Sequence, residues 1–477
     1  MPRDPNPSLC SPFDLHRAMG FCDSARVCTI ALLLGASIGL SGCRETYTAG
    51  VSTEQKISDK DGNFSGDLDD YDRFGRGITR IGDLESDGVV DLAVGAPGDD
   101  DGGIDRGAVW ILFLDSDGEV DVQQKISADQ GGFEGDLDDG DAFGLSAANL
   151  DDLNGDGFLD LAVGAPGDDD GGANHGALWL LFLRDDGRVR LYQKISEETG
   201  GFDGNLDASD GFGTAIANLG DLDRDGIDDL AVGAPGDDDG GGDRGAVWIL
   251  FLNQDGTVKA SQKISSSEGD LAQDPENGDR FGTSVTAIGD LNGDGHTDLA
   301  VGAPGDDDGG PDRGAVWILL LNSDGTVDGV ERISQTRGEF DGDLSDYSGF
   351  GSALANLGDL NDDGIDELAV GAEAADDGGT DRGAVWILFL DDSAEVISTS
   401  RLSDTRGSFD GGLDDGDAFG CNLASIGDLD GDNLDDLAVS ACGDDDGGVD
   451  KGAVWILFLA DIDIHIDTSG GVIFGQF

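Results

Sequence analysis

Short, wholly apolar runs punctuate this chain at a constant interval. Ala108–Leu114 reads AVWILFL, and the same run returns with its tryptophan at Trp179, Trp248, Trp317, Trp386 and Trp455, each 69 residues after the last. Seven apolar residues without alternation predict a strand covered on both faces. A Phe-Gly pair keeps the same period at Phe74, Phe143, Phe212, Phe281, Phe350 and Phe419. Within one unit, the stretch from Phe74 to Asp83 ends in a Gly/Asp-rich loop. The apolar segment Asp91–Ala96 (DLAVGA) follows, then an acidic loop, then the apolar run. A turn at Asp115-Ser116-Asp117-Gly118 leads into a last strand ending Gln124-Lys125-Ile126-Ser127. That order predicts four strands per unit. Four-stranded sheets whose middle strands are covered on both faces stack radially, so the pattern predicts an all-β fold, a β-propeller of 69-residue repeats. Solenoids and β-helices use much shorter repeats.

Charge narrows the function. The chain carries 27 Lys plus Arg against 101 Asp plus Glu, a net −74. So anionic a chain cannot exchange counterions with a phosphate backbone, which excludes nucleic acid as a partner. It is also repelled by anionic membrane surfaces, leaving cations, basic surfaces and neutral molecules. Disorder is not implied, because 38 % of the residues are hydrophobic and they are gathered into the runs above. The 81 glycines, beside so many Asp, fit many tight turns between short strands.

Residues Cys28 to Gly42 form one apolar stretch preceded by Arg17 and Arg26. It is shorter than the ~20 residues that span a bilayer and reads as the apolar core of a signal peptide. Leu40-Ser41-Gly42-Cys43 resembles the lipobox of bacterial lipoproteins, which implies lipidation at Cys43. Arg44 after it, by the same resemblance, implies the outer membrane or cell surface. The expected organisation is a lipoprotein signal peptide over 1–42, a tether over 43–54, the propeller over 55–468 and a C-terminal tail over 469–477. Met19 is an alternative start.

Phe281-Gly282, then Gly289-Asp290-Leu291-Asn292-Gly293-Asp294-Gly295, then Gly302-Ala303-Pro304 resemble the FG-GAP repeat of the integrin α-subunit head, a calcium-binding propeller. The resemblance covers nearly all of the chain after the leader. Integrin heads have seven blades and this chain has six units, so six blades are expected and seven is the alternative. Gly-Ala-Pro departs to Gly371-Ala372-Glu373 and Ser440-Ala441-Cys442 in the last two units. The sixth unit also lacks Gln-Lys-Ile-Ser. Either the unattached copy at Gln55 to Ser58 completes the last blade, or Asp461 to Asp467 (DIDIHID), which alternates with period two, fills the outer strand itself.

Between the first two strands every unit carries alternating oxygen side chains and a further carboxylate at the ninth position. The sets are Asp83, Glu85, Asp87 and Asp91; Asp152, Asn154, Asp156 and Asp160; Asp221, Asp223, Asp225 and Asp229. They continue as Asp290, Asn292, Asp294 and Asp298; Asp359, Asn361, Asp363 and Glu367; Asp428, Asp430, Asp432 and Asp436. Oxygen donors folded round a Gly-enabled turn suit a hard cation that takes six to eight oxygens, the seventh position lending its carbonyl. About six structural calcium ions are expected. The first loop departs by Glu85, and the sixth by Asn433 in the place of Gly.

If these loops lie on one rim, the strand order puts Asp99-Asp100-Asp101-Gly102-Gly103, Gly66-Asp67-Leu68-Asp69-Asp70 and their copies on the other, where they are expected to be mainly solvated. Arg106, Arg244, Arg313, Arg382 and Lys451, four residues before each Trp, are expected to compensate charge locally, with His175 at that place in the second unit. Cys421 and Cys442 lie nearly equidistant from Asp432, so antiparallel register sets them opposite one another, and an oxidising compartment would bridge them. The expected function is a cell-surface, calcium-stabilised module for adhesion or recognition of a surface protein or glycan, not an enzyme. The membrane is reached only through the lipid anchor. Two other classes stand beside it: a polyanionic cation-binding coat, and an enzyme like the phospholipase and polysaccharide-degrading proteins that carry FG-GAP repeats.

Overall fold

Blade 1 consists of Ile78–Gly82, Asp91–Ala96, Ala108–Leu114 and Val120–Ser127, paired antiparallel in chain order from innermost to outermost strand. The computed structural model describes residues 45–273 and 275–466, and among them six such four-stranded sheets. The innermost strands, Ile78–Gly82, Ala147–Asn149, Ala215–Gly220, Ser284–Ala287, Phe350–Asn356 and Phe419–Gly427, each contact the next, and the last contacts the first. The chain is a closed six-bladed propeller. Cys43 and the signal-peptide stretch lie outside the described residues.

The period of the sequence follows from what lies between blades. In the third strand, Trp110, Leu112 and Leu114 pack with Ala438, Val454 and Ile456 of blade 6, while Val109, Ile111 and Phe113 pack with Leu161, Val163 and Trp179 of blade 2. Alternate residues serve opposite neighbours, so neither face can be polar. Each fully buried aliphatic or aromatic side chain contributes roughly 1.5–3 kcal/mol, which makes these interfaces the core. The two glycine motifs meet here. A Cβ on Gly95 would lie 1.7 Å from the carbonyl oxygen of Gly144 in the next blade, and Gly233 and Gly282 repeat this at 1.9 Å. Gly-Ala-Pro and Phe-Gly are therefore two halves of one close backbone contact, which at the junction of blades 6 and 1 accommodates Ser440 against Gly75.

The ring closes with the chain's first strand. Glu45–Ile57 is the outer strand of blade 6, beside Ala453–Ile466. Residues 45–54 are thus strand rather than tether. Residues 461–466 prolong the third strand instead of supplying the fourth. The copy Gln55 to Ser58 decides the matter chemically, because Lys56 does in blade 6 what Lys125 does in blade 1, as described below. A disulfide joins Cys421 to Cys442 with 6.2 Å between their Cα atoms, tying the first two strands of that same blade. Glu373, which breaks Gly-Ala-Pro in blade 5, has a partner: Arg76 Nη1 of blade 1, at 2.7 Å.

Candidate metal loops and the opposite rim

Every Asp-x-Asp loop is folded by its own carboxylates. The first-position oxygens of Asp83 accept the amides of Asp87 and Gly88, at 2.9 and 2.8 Å. Asp152, Asp221, Asp290 and Asp359 repeat this pair of bonds with distances from 2.8 to 2.9 Å. The sixth residue needs a positive φ, 96° at Gly88, and Asn433 supplies 77° in blade 6. Asn is the side chain best tolerated there, and its amide reaches Asp428 at 2.9 Å, as Gly88 reaches Asp83. The substitution that set the sixth loop apart in sequence leaves its geometry intact.

The ninth-position carboxylate opens the second strand, or in blades 4 and 5 immediately precedes it, and is buried. Asp91 accepts the Leu84 amide at 2.8 Å and the Leu114 amide at 3.3 Å. Burial pushes its pKa to about 8, with Glu85 adding to the rise against those amide bonds. Burial likewise raises Asp160 and Asp229 to about 7, Asp298 and Asp436 to about 6, and Glu367 to about 8. Such a carboxylate, held in place but unfavourable as an anion, is a fitting donor for a cation. In three loops the donor oxygens converge within 4.8 Å of one another: Asp83, Glu85 and Asp91; Asp221, Asp223 and Asp225; Asp428, Asp430 and Asp436. These all-oxygen sets suit a hard divalent ion. Loops 2, 4 and 5 carry Asn154, Asn292 and Asn361 at the third position, and Asn154 Nδ2 and Asn361 Nδ2 donate to the ninth-position Asp160 and Glu367, both at 3.1 Å.

The opposite rim departs from the expectation of a solvated surface. Asp99, Asp168, Asp237, Asp306 and Asp444 are buried. Each is met by a base from the outer strand. Lys125 Nζ lies 2.5 Å from Asp99 and 2.9 Å from Asp101, and Lys263 Nζ lies 2.5 Å from Asp237 and 2.8 Å from Asp239. Lys194 holds Asp168 and Asp170, and Arg332 holds Asp306 and Asp308. Lys56 holds Asp444 and Asp446, and Arg401 holds Asp377. The same six cations lie over Trp110, Trp179, Trp248, Trp317, Trp386 and Trp455, 4.9–5.4 Å from the ring centroid. Tryptophan face, cation and carboxylate form one stack per blade.

A second buried carboxyl stands behind most of these stacks. Asp72, Asp141, Asp210, Asp279 and Asp417 each accept the amide three residues earlier, at 2.7–2.9 Å. Burial raises Asp72 to about 7 and the other four to about 6. Blade 5 has Ser348 and Ala375 where the others have this carboxyl and the Asp99-type residue, so the two are lost together. The arginines before four of the six Trp reach past local compensation to the next unit. Arg106 Nε meets Asp139 at 3.0 Å, Arg382 Nε meets Asp415 at 3.0 Å, and Arg244 Nε donates to Asn277 at 2.9 Å. His175 instead turns to Glu197, at 2.7 Å.

Sequence reasoning missed the Trp–cation–carboxylate stack. The signal was present: a Lys or Arg stands 15 residues after Trp110, Trp179, Trp248, Trp317 and Trp386, and the strand register sets Trp110 opposite Lys125.

Against known proteins, the FG-GAP repeat pattern matches residues 143–181, 212–250, 281–319 and 350–388. The chain is 33 % identical to Integrin alpha-5 of Xenopus laevis over 279 residues, 55 % of this chain and 22 % of that protein. It is 35 % identical to Phosphatidylinositol-glycan-specific phospholipase D of Bos taurus over 177 residues, 36 % of this chain and 20 % of that protein. It is 35 % identical to Integrin alpha-4 of Xenopus laevis over 173 residues, 34 % of this chain and 14 % of that protein. The chain thus matches less than a quarter of the length of each of these relatives. Four of its six units carry the FG-GAP repeat, and those units fold as propeller blades.

Proposed function

We propose that this chain is a calcium-stabilised recognition propeller of an exported, lipid-anchored protein, which binds a surface protein or glycan and does no chemistry on it. One observation carries the calcium reading. In each blade a buried ninth-position carboxyl and the alternating donors before it are fixed by backbone amides on one short turn, with a pKa raised by burial. A divalent ion relieves that cost and locks the first two strands together. Two integrin α subunits among the relatives support recognition as the role, and the Cys421–Cys442 disulfide is in keeping with an oxidising compartment. The phospholipase relative is matched over only 20 % of its length, and that share supports a common propeller rather than a common reaction. The internal bases of the opposite rim weigh against a cation-soaking coat only at the innermost carboxylates, which they already hold away from solvent cations.

Calorimetric titration of metal-free protein with calcium tests the first part. Heat of binding with a rise in melting temperature is expected, and neither heat nor a shift would refute it. Capture from native surface proteins and glycans, with and without calcium, tests the second. Specific, calcium-dependent capture is expected, and turnover of phospholipid or polysaccharide by purified protein would contradict the non-catalytic reading.

A further inference from the structure

The six loops are not equivalent, because the strand beside them differs. In blades 2 and 3 the second residue of the outer strand reaches the loop of its own blade. The residue at that position is Asp121, Arg190, Lys259, Asp328 and Ile397 in blades 1 to 5, and Ser52 at the matching place in blade 6. In blade 2 the Arg190 guanidinium pairs with Asp156. In blade 3 Lys259 Nζ pairs with Asp225 and lies 2.8 Å from Asp223. Asp156, Asp223 and Asp225 are donors of the two loops, and Asp221, Asp223 and Asp225 form one of the converged sets. The ammonium of Lys259 therefore engages the oxygens that a metal ion would use. A divalent ion entering either loop must first displace a cation that the chain itself supplies. Blades 1 and 4 carry Asp121 and Asp328 at the matching strand position and so bring no cation from there, and the Arg224 guanidinium that reaches loop 4 donates to the Gly295 carbonyl rather than to a carboxylate.

We infer that Arg190 and Lys259 are built-in counter-ions that make the loops of blades 2 and 3 weak calcium sites, whereas the other four bind tightly. The inference rests on the calcium reading above and adds an order of loading to it. Its consequence is a propeller whose blades 2 and 3 stay closed at calcium levels too low to hold the other loops.

The test compares the full exported chain with the double variant Arg190→Gln/Lys259→Gln, using calcium alone as the probe. Calorimetric titration, with bound ions counted by equilibrium dialysis, should find four tight and two weak sites in the unaltered protein, the classes at least tenfold apart. In the variant the weak pair should tighten at least tenfold. In chelator the variant should melt below the unaltered protein, because its loops have lost their resident cations; in excess calcium the gap should close. Six equal sites in both proteins would overturn this inference and leave the calcium reading standing. No calcium binding by either protein would overturn both. A variant with unchanged affinities and unchanged melting in chelator would show Arg190 and Lys259 to be surface charges only.

Discussion

The two rims of this propeller hold the same kind of side chain and treat it in opposite ways. On the rim of the Asp-x-Asp loops, carboxylates are gathered by backbone amides, and in blades 1, 4, 5 and 6 no base stands at the outer-strand position beside them. On the other rim each blade brings a Lys or Arg across from the outer strand, seats it on a Trp and sets it against an Asp, which is buried in every blade but the fifth. Excess negative charge is therefore no uniform property of the fold. On one rim the innermost carboxylates are met by bases of the chain itself, and on the other the converged carboxylates await a cation from outside. Blades 2 and 3, where Arg190 and Lys259 reach the loops, apply the device of the second rim to the first.

The largest expected difference between the rims is their response to chelation. Removing calcium near neutral pH should cost about 2.7 kcal/mol for each loop that was held at a hundredfold excess over its Kd, read as a fall in melting temperature. Equal melting with and without chelator would erase the distinction.

Next in size is the internal base. Lys263→Met leaves Asp237 buried without its partner and should destabilise the protein by about 3 kcal/mol in denaturant melts, at any calcium level. Adding Asp237→Ala should restore part of the loss, since blade 5 already does without that carboxyl at Ala375. A loss in Lys263→Met that disappears on adding calcium would mean that the two rims are not independent.

The pH dependence should differ as well. The carboxyls of Asp141, Asp210, Asp279 and Asp417 are raised to about 6 and that of Asp72 to about 7 by burial, above an ordinary value of 3.8. The folded state therefore binds protons more tightly than the unfolded chain. The stability this supplies is complete below about pH 4 and is lost as pH rises through those values. In chelator the decline should continue to about pH 8, because Asp91 and Glu367 titrate there. In saturating calcium it should end near pH 7. Melting curves across that range in both conditions would check it, and coincident profiles would count against the account.

The smallest effect is expected from Arg106→Ala. Its partner Asp139 is more than half exposed, so the loss should be within about 1 kcal/mol whether or not calcium is present. A larger loss would mean that these bridges between units carry more of the ring than their exposure implies.

Much of this architecture is legible in the sequence because it is periodic. The apolar runs around each Trp, the Phe-Gly and Gly-Ala-Pro glycines and the alternating Asp each reflect a contact that recurs in every unit. The register placing Cys421 opposite Cys442 follows from the same regularity. What escaped was non-local. Gln55 to Ser58 and Asp461 to Asp467 both read as the missing strand, and what separates them is a pairing nearly a whole chain away, which lays Glu45–Ile57 beside Ala453–Ile466 and seats Lys56 on Trp455. The buried carboxylates of the second rim escaped for a related reason. An acidic loop such as Asp99-Asp100-Asp101 looks solvated until the strand that carries its lysine is laid beside it. Arg190 and Lys259 were hidden because they break the repeat, and a reading built on repetition gives little weight to its exceptions.

Hydrogen exchange followed peptide by peptide, in chelator and in calcium, tests the contrast between the rims most directly. Calcium should slow exchange in the loops 83–91, 290–298, 359–367 and 428–436, and leave 97–106 and its copies unchanged, because their cations are already in place. Protection that rises equally on both rims, or only on the second, would contradict it.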